Sequence, residues 1–144
     1  MRNAKAGARE AHMADAKVMR IDEMEAVFEG IMIRARASLG VRSFGMQVLD
    51  MPPNFDRYPV HDESSSGQEE VYVPLRGSAR MLIDGAEHTL EPGVMVRVAP
   101  GTRRRVVPGG DGMRMLVIGN VPGAMYEAPE WTELGATPPH PKNE

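Results

Sequence analysis

Between Gln68 and Gly101 the chain reads Q-E-E-V-Y-V-P-L-R-G-S-A-R-M-L-I-D-G and, after A-E-H-T, L-E-P-G-V-M-V-R-V-A-P-G. Short apolar runs alternate with Gly-based turns at nearly regular spacing. An amphipathic helix needs ten or more uninterrupted residues, and these runs are too short for one. A small antiparallel β-barrel is what such spacing builds.

The same pattern extends in both directions. Ile31–Ala37 alternates apolar and charged residues and predicts a first strand, and Ser43–Met51 predicts a second, stopped by Pro52-Pro53. Strand signals follow at Glu70–Leu75, Ala79–Ile83, Glu87–Leu90 and Val94–Val98, with Asp84-Gly85 a strong two-residue hairpin turn. Arg103–Val107 and Met113–Ile118 complete the set, joined by a flexible turn at Pro108–Gly112. Around eight strands result. Pro74 inside a strand pattern points to an edge or a bulge.

Outside the barrel, residues 1–20 read as a mobile, Ala-rich basic arm, residues 21–121 as the barrel, and residues 122–144 as a Pro/Glu-rich tail. One helical turn is expected near Ile21–Glu25 and another near Pro129-Glu130-Trp131, with disorder after Gly135.

Composition agrees and excludes several functions. The 144 residues include 15 Gly and 12 Pro, about 19% against an average near 12%. Twelve Met beside three Phe and one Trp suggest a soft, adaptable interior. With no Cys there is neither disulfide, thiolate zinc site nor Cys nucleophile. A net charge of −3 argues against a dedicated nucleic-acid binder. No run approaches a membrane span, and the first 30 residues lack the apolar core of a secretory signal, so a cytoplasmic protein is expected.

The turn framework resembles the two signature motifs of the cupin family over roughly residues 31–121. Glu70, six residues and Gly77 match the second half of the first motif. Gly93, five residues, then Ala99-Pro100-Gly101 and Thr102-Arg103-Arg104 match the second, with Arg104 in its His position. Tyr58-Pro59-Val60-His61-Asp62-Glu63, then Gly67-Gln68-Glu69-Glu70-Val71-Tyr72, is similar to a subgroup of small bacterial cupins carrying H-D-H and G-Q-E-E-V-Y. Here Glu63 replaces the second His. The resemblance implies an all-β double-stranded β-helix, or jelly-roll, barrel that forms a homodimer. In its metal-bearing members three His and one Glu converge on iron, manganese, nickel, copper, zinc or a similar ion.

This chain retains His61 and Glu70 of that set, and Glu63 offers a carboxylate in place of an imidazole. A guanidinium at Arg104 cannot ligate a cation, because it stays protonated. Three readings follow. Arg104 replaces the metal's charge in a buried network with Glu63 or Glu70; or it anchors a ligand carboxylate or phosphate; or His61, Glu63 and Glu70 hold a divalent metal regardless. The first fixes the inner face and has no ligand; the second leaves a metal-free pocket for a small, acidic organic ligand, surrounded by His61, Glu63, Glu70, Tyr72 and Arg104. The third makes a dioxygenase, isomerase or cyclase-like enzyme. Spacing to Gly77 favours Glu70 over Glu69 as the inward carboxylate.

Other signals are weaker. In Arg103-Arg104-Arg105 strand alternation turns Arg104 to the face opposite its neighbours, which with Arg97 make a solvated face. His88 reads as an exposed turn residue, and His12 and His140 lie in terminal segments. Met46 could line a cavity or fill the core.

Overall fold

In the computed structural model, described for residues 15–140, seven strands form one antiparallel system. They are β1 (Ala26–Val27), β2 (Met32–Ile33), β3 (Gly45–Met51), β4 (Glu69–Ile83), β5 (Ala86–Leu90), β6 (Val96–Val98) and β7 (Arg104–Asn120). Their order is β1-β2-β3-β7-β4-β5, and β6, off this path, pairs with the first half of β4. Most of the expected arm, including His12, lies outside the described residues, and residues 15–20 have no regular structure. Short 3-10 turns occupy Ile21–Glu23 and Glu130–Thr132, where helical turns were expected. Among the described residues no helix is long and apolar enough to cross a membrane.

Two long strands organise everything else. The segments Glu70–Leu75 and Ala79–Ile83 are one strand, β4, and the segments on either side of Pro108–Gly112 are one strand, β7. The first half of β4 pairs with the second half of β7, and the second half with the first. Around the first pairing lie β6 and β3; around the other lie β5 and a bridge from His61 to Arg104. Each long strand thus passes through a bend and serves both halves of the barrel.

At the bend the inward face changes phase. In β4 the even residues Glu70, Tyr72 and Pro74 are buried before it, and the odd residues Ala79 and Met81 after it. In β7 Arg104, Val106 and Pro108 are buried first, then Met113, Met115 and Val117. A one-residue slip would otherwise turn the core face outward. Irregularities at Pro74/Arg76 and Gly77/Ala79 absorb it, so Pro74 marks a bulge, as expected. Pro74 lies past the end of the β6 pairing, where its missing N–H is not needed.

Two expectations are corrected here. Gly109–Gly112 is not a free turn between strands. These four residues stand opposite Ser78 alone in a wide bulge of a continuous strand, held by a bond from the Asn54 N–H to the Gly109 carbonyl. Ile31–Ala37 is not one strand. Pairing stops at Ile33, and Ala35–Leu39 forms a short helix, α1. The Ala, Arg and Leu there are good helix formers, and Gly40, at φ 78°, closes the helix by donating to the Arg36 and Ala37 carbonyls.

The core is methionine-rich as anticipated. Met32, Met51, Met81, Met113 and Met115 pack with Tyr72, Leu90, Val98, Val106 and Val117. Each fully buried Met contributes about 1.5–3 kcal/mol.

Gly77 and Gly112 touch at the bend. A Cβ on Gly77, at φ +81°, would collide with the Gly112 carbonyl, while Gly85, at φ +83°, has open space around it. Gly77→Ala therefore combines backbone strain with overpacking and is expected to cost at least about 2 kcal/mol. Gly85→Ala, with strain alone, is expected to cost about 1 kcal/mol. Urea unfolding of both variants measures the difference, and equal losses would contradict the close approach at the bend.

Candidate functional site

Strand alternation brings Glu70 and Tyr72 to the interior of β4, while Glu69 points outward and meets Arg97 at 3.2 Å. Arg104 enters from the opposite half of the barrel, at the start of β7. Its Nη2 donates to Glu70 Oε1 at 2.9 Å, its Nε to the Tyr72 hydroxyl at 3.2 Å, and its Nη1 to the Thr102 carbonyl at 2.7 Å. The Tyr72 hydroxyl in turn donates to Glu70 Oε1 at 2.9 Å. The Arg104 side chain is wholly buried, and Arg103 and Arg105 turn to the other face as predicted. Arg105 donates to the Asp56 carbonyl, and His88 is exposed.

His61 reaches this centre through its backbone. It exchanges both N–H···O bonds with Arg104, so the loop is stitched to β7. Two residues on, the Glu63 N–H donates to the Pro100 carbonyl, and the Gly67 N–H donates back to the Glu63 carbonyl. Those bonds fold residues 63–67 into a compact turn. That turn lets Glu63 approach Glu70 despite six intervening residues. Ser66 Oγ donates to Glu63 Oε2 at 2.8 Å, and His61 Nε2 stands 3.5 Å from Glu63 Oε1.

One donor atom from each of His61, Glu63 and Glu70 lies within 4.8 Å of the others, so this group could hold a metal ion. The number and spacing of donors suit a divalent cation. The charge beside them does not, since Arg104 already engages Glu70 Oε1 and adds a fixed positive charge. These residues fit a tightly held transition metal poorly.

Burial pushes the Glu70 carboxyl above its ordinary range and the nearby Glu63 charge adds to this, while Tyr72 and Arg104 pull it back. Desolvation also raises the hydroxyls of Tyr72 and Tyr58, so both stay protonated donors at neutral pH. For Arg104, burial works against the charge, but Tyr72 and Glu70 outweigh it and hold the proton more firmly.

A cavity of about 320 Å³ opens beside this network. Glu63 and Glu70 line it; His61, Tyr72 and Arg104 are not among its lining residues. The remaining walls include Met46, Gln47, Gln68 and Ser66, with Tyr126 and Trp131 from the C-terminal segment. Arg34 and Arg36 also line it, and sequence reasoning missed them. Their alternation with Ile33, Ala35 and Ala37 suggests the polar face of a strand. The one signal against that was Gly40, a helix stop at the right distance.

Arg34 ties the C-terminal segment over the cavity. Its Nη2 donates to the carbonyls of Trp131 and Ala136 at 2.6 and 2.7 Å, and its Nη1 meets Glu25 at 2.9 Å. Ala136 is therefore held, although order was expected to end at Gly135. The Phe28 and Trp131 rings, 6.3 Å apart edge to face, close the same corner.

No protein-family model matches the sequence, and no curated protein does. Solved structures do match. A cupin protein from Bacteroides fragilis superposes with a TM-score of 0.60 at 22% identity, over 81% of this chain and 93% of that one. A sugar phosphate isomerase of the cupin superfamily from Silicibacter pomeroyi gives 0.59 at 18% identity, over 72% and 75%. A predicted oxalate decarboxylase from Thermotoga maritima gives 0.57 at 15% identity, over 73% and 99%. Likeness at this distance speaks for architecture alone, and the architecture is the cupin barrel.

Two predictions follow from the geometry. Arg104→Met leaves Glu70 buried without its partner and is expected to cost about 3–5 kcal/mol, whereas Arg104→Met with Glu70→Met recovers most of the loss. Chemical denaturation of the three proteins measures this. Full stability in the single variant would mean that the pair does not hold the halves together.

The second concerns pH. Desolvation lowers the His61 pKa, but its bonds to Glu63 and the Pro59 carbonyl, with Glu63's charge, more than reverse this. Burial raises Glu63, but His61, Ser66 and Arg104 bring it net below its ordinary value of 4.5. A raised His stabilises fully below its unfolded pKa and loses this as pH rises through the folded one; a lowered Glu stabilises above its unfolded pKa. The pair therefore contributes most between about pH 4.5 and 6.5. Tyr58, Glu70 and Arg104 also face this pair. In chelator-treated protein, the melting temperature of wild type relative to His61→Gln should fall on going from about pH 6 to about pH 8. A constant difference would remove His61 from the pair.

Proposed function

We propose that this barrel binds a small organic acid in the cavity beside Glu63 and Glu70 and works without a metal. The observation that carries the reading is the Arg104 guanidinium bonded to Glu70 Oε1 at 2.9 Å and fully buried. A permanent cation there neutralises the carboxylate that would otherwise call for a metal. Its bonds to Tyr72 and Thr102 leave it fixed in the wall, so Arg104 belongs to the frame of the pocket. His61, Glu63, Glu70, Tyr72 and Arg104 form the polar end of that frame.

The second reading, a metal-dependent enzyme of the isomerase, dioxygenase or cyclase kind, is favoured by the convergence of His61, Glu63 and Glu70 within 4.8 Å. In it those three residues would hold a divalent ion such as iron, manganese, nickel, copper or zinc, and the ion would supply Lewis acidity or redox chemistry. A homodimer and a cytoplasmic location complete the proposal. Exposed Leu75 and Met95 offer apolar surface to a second copy, and sedimentation would read the mass.

Elemental analysis of untagged protein separates the two readings. Metal far below one equivalent, with no gain on soaking, is expected; near-stoichiometric metal would overturn the metal-free pocket. Arg104→His removes the cation and adds a donor, and should raise metal uptake above wild type. A carboxylic acid present at about 100 times its dissociation constant should stabilise the wild type by about 2.7 kcal/mol.

A further inference from the structure

Arg36 on α1 lines the cavity and its side chain is nine-tenths buried. Its Nη1 donates to the Val41 carbonyl at 3.1 Å. Among the described residues, Nε and Nη2 find no hydrogen-bond partner. Glu133 Oε1 comes within 2.8 Å of Nη2, close enough for an ion pair but not aligned as a hydrogen bond. Glu133 itself is half exposed on the C-terminal segment.

Nε and Nη2 form one edge of the guanidinium, the side-on fork that takes both oxygens of a carboxylate. Burying that edge unbonded is costly, and a buried donor without an acceptor calls for explanation. Arg34, its neighbour in the same wall, donates through Nη2 to two carbonyls of the C-terminal segment and through Nη1 to Glu25, and leaves Nε alone without a partner. Arg104 is engaged as well. Of these three arginines Arg36 alone lacks an aligned acceptor along a whole edge, which Glu133 covers by distance only.

We infer that Arg36 is the carboxylate anchor of the pocket, and that Glu133 is an internal competitor displaced when the acid binds. This rests on the reading of the barrel as an acid-binding pocket. The ligand class is narrower than "acid". Glu63 and Glu70 line the same cavity and repel a second anionic group, so the rest of the molecule is neutral. Met32, Met46, Val117 and Trp131 give it an apolar surround, and the two carboxylates accept from a hydroxyl on it. A monocarboxylic hydroxy acid has this polarity.

Calorimetric titration of the full chain with benzoate, 4-hydroxybenzoate and inorganic phosphate tests the assignment. Wild type is expected to bind both carboxylates, the hydroxylated one more tightly, and to ignore phosphate. Glu133→Gln, an isosteric change of a half-exposed side chain, should tighten carboxylate binding several-fold. Arg36→Lys keeps the charge but loses the fork, and should weaken it roughly tenfold. Carboxylate binding unchanged in both variants would overturn Arg36 as the anchor while leaving an acid-binding barrel. Should Arg36→Lys fail to fold, unchanged affinity in Glu133→Gln alone would overturn the displacement. Phosphate bound in place of carboxylates would overturn the ligand class. No carboxylate bound by either wild type or Glu133→Gln would bring down the acid-binding reading and this inference together.

Discussion

The Glu70–Arg104 pair spans the barrel from one half to the other, and the remaining polar interior is arranged around it. Taking two charges out of water costs several kcal/mol for each, so such a pair endures only when its other bonding capacity is filled. Here much of it is filled: Tyr72 and Arg104 share Glu70 Oε1, and the Thr102 carbonyl takes a further guanidinium proton. Tyr72 is buried and kept protonated, so it serves as a constant donor. Against hydrophobic residues of the same volume, the pair gains little stability. Its contribution is register, because only one alignment of the two halves puts Arg104 opposite Glu70.

That alignment depends on the bend in β4 and β7. Gly77 and Gly112 approach too closely for a side chain, and the extra residues of the β7 bulge shift the inward face by one position. Without the shift, a strand with Glu70 and Tyr72 inward would carry Met81 outward. The bend thus lets one strand contribute a polar pair at one end and apolar core at the other. His61 and Glu63 reach the polar end by a different route, through backbone pairing of the loop with Arg104 and Pro100. Loop and strand therefore converge on the same side of the cavity.

Much of this was legible in the sequence, and what was not has a physical reason. Glycine and proline spacing disclosed the barrel, because turn chemistry is local. Alternation placed Glu70, Tyr72 and Arg104 on the inside, and the match at Glu70 and Gly77 named the carboxylate. Continuity of the long strands was hidden, since a glycine cluster such as Gly109–Gly112 looks alike in a turn and in a bulge. Arg34 and Arg36 were hidden for a deeper reason. A buried arginine is identified by its partners, and the acceptors of Arg34 lie about a hundred residues away at Trp131 and Ala136. Local pattern carries no trace of them, and the helix formed at Ala35–Leu39 owes its place to contacts that only the complete fold supplies.

Among the described residues, three buried arginines divide the work of positive charge in a protein of net negative charge. Arg104 neutralises the carboxylate at one end of the cavity. Arg34 uses Nη2 to hold the closing segment through two backbone carbonyls, whose acceptor strength does not vary with pH, and Nη1 to bind Glu25. Arg36 differs from both: its outer edge faces a single side chain from a half-exposed segment, and that contact is by distance alone. An interaction so poorly aligned gives up little when replaced by a better-oriented carboxylate. Arg104 is bonded through all three nitrogens and Arg34 through two, so neither is displaced at small cost. A frame whose least-bonded cavity cation is met by distance alone is an arrangement that exchanges its internal anion for an external one without loosening the barrel.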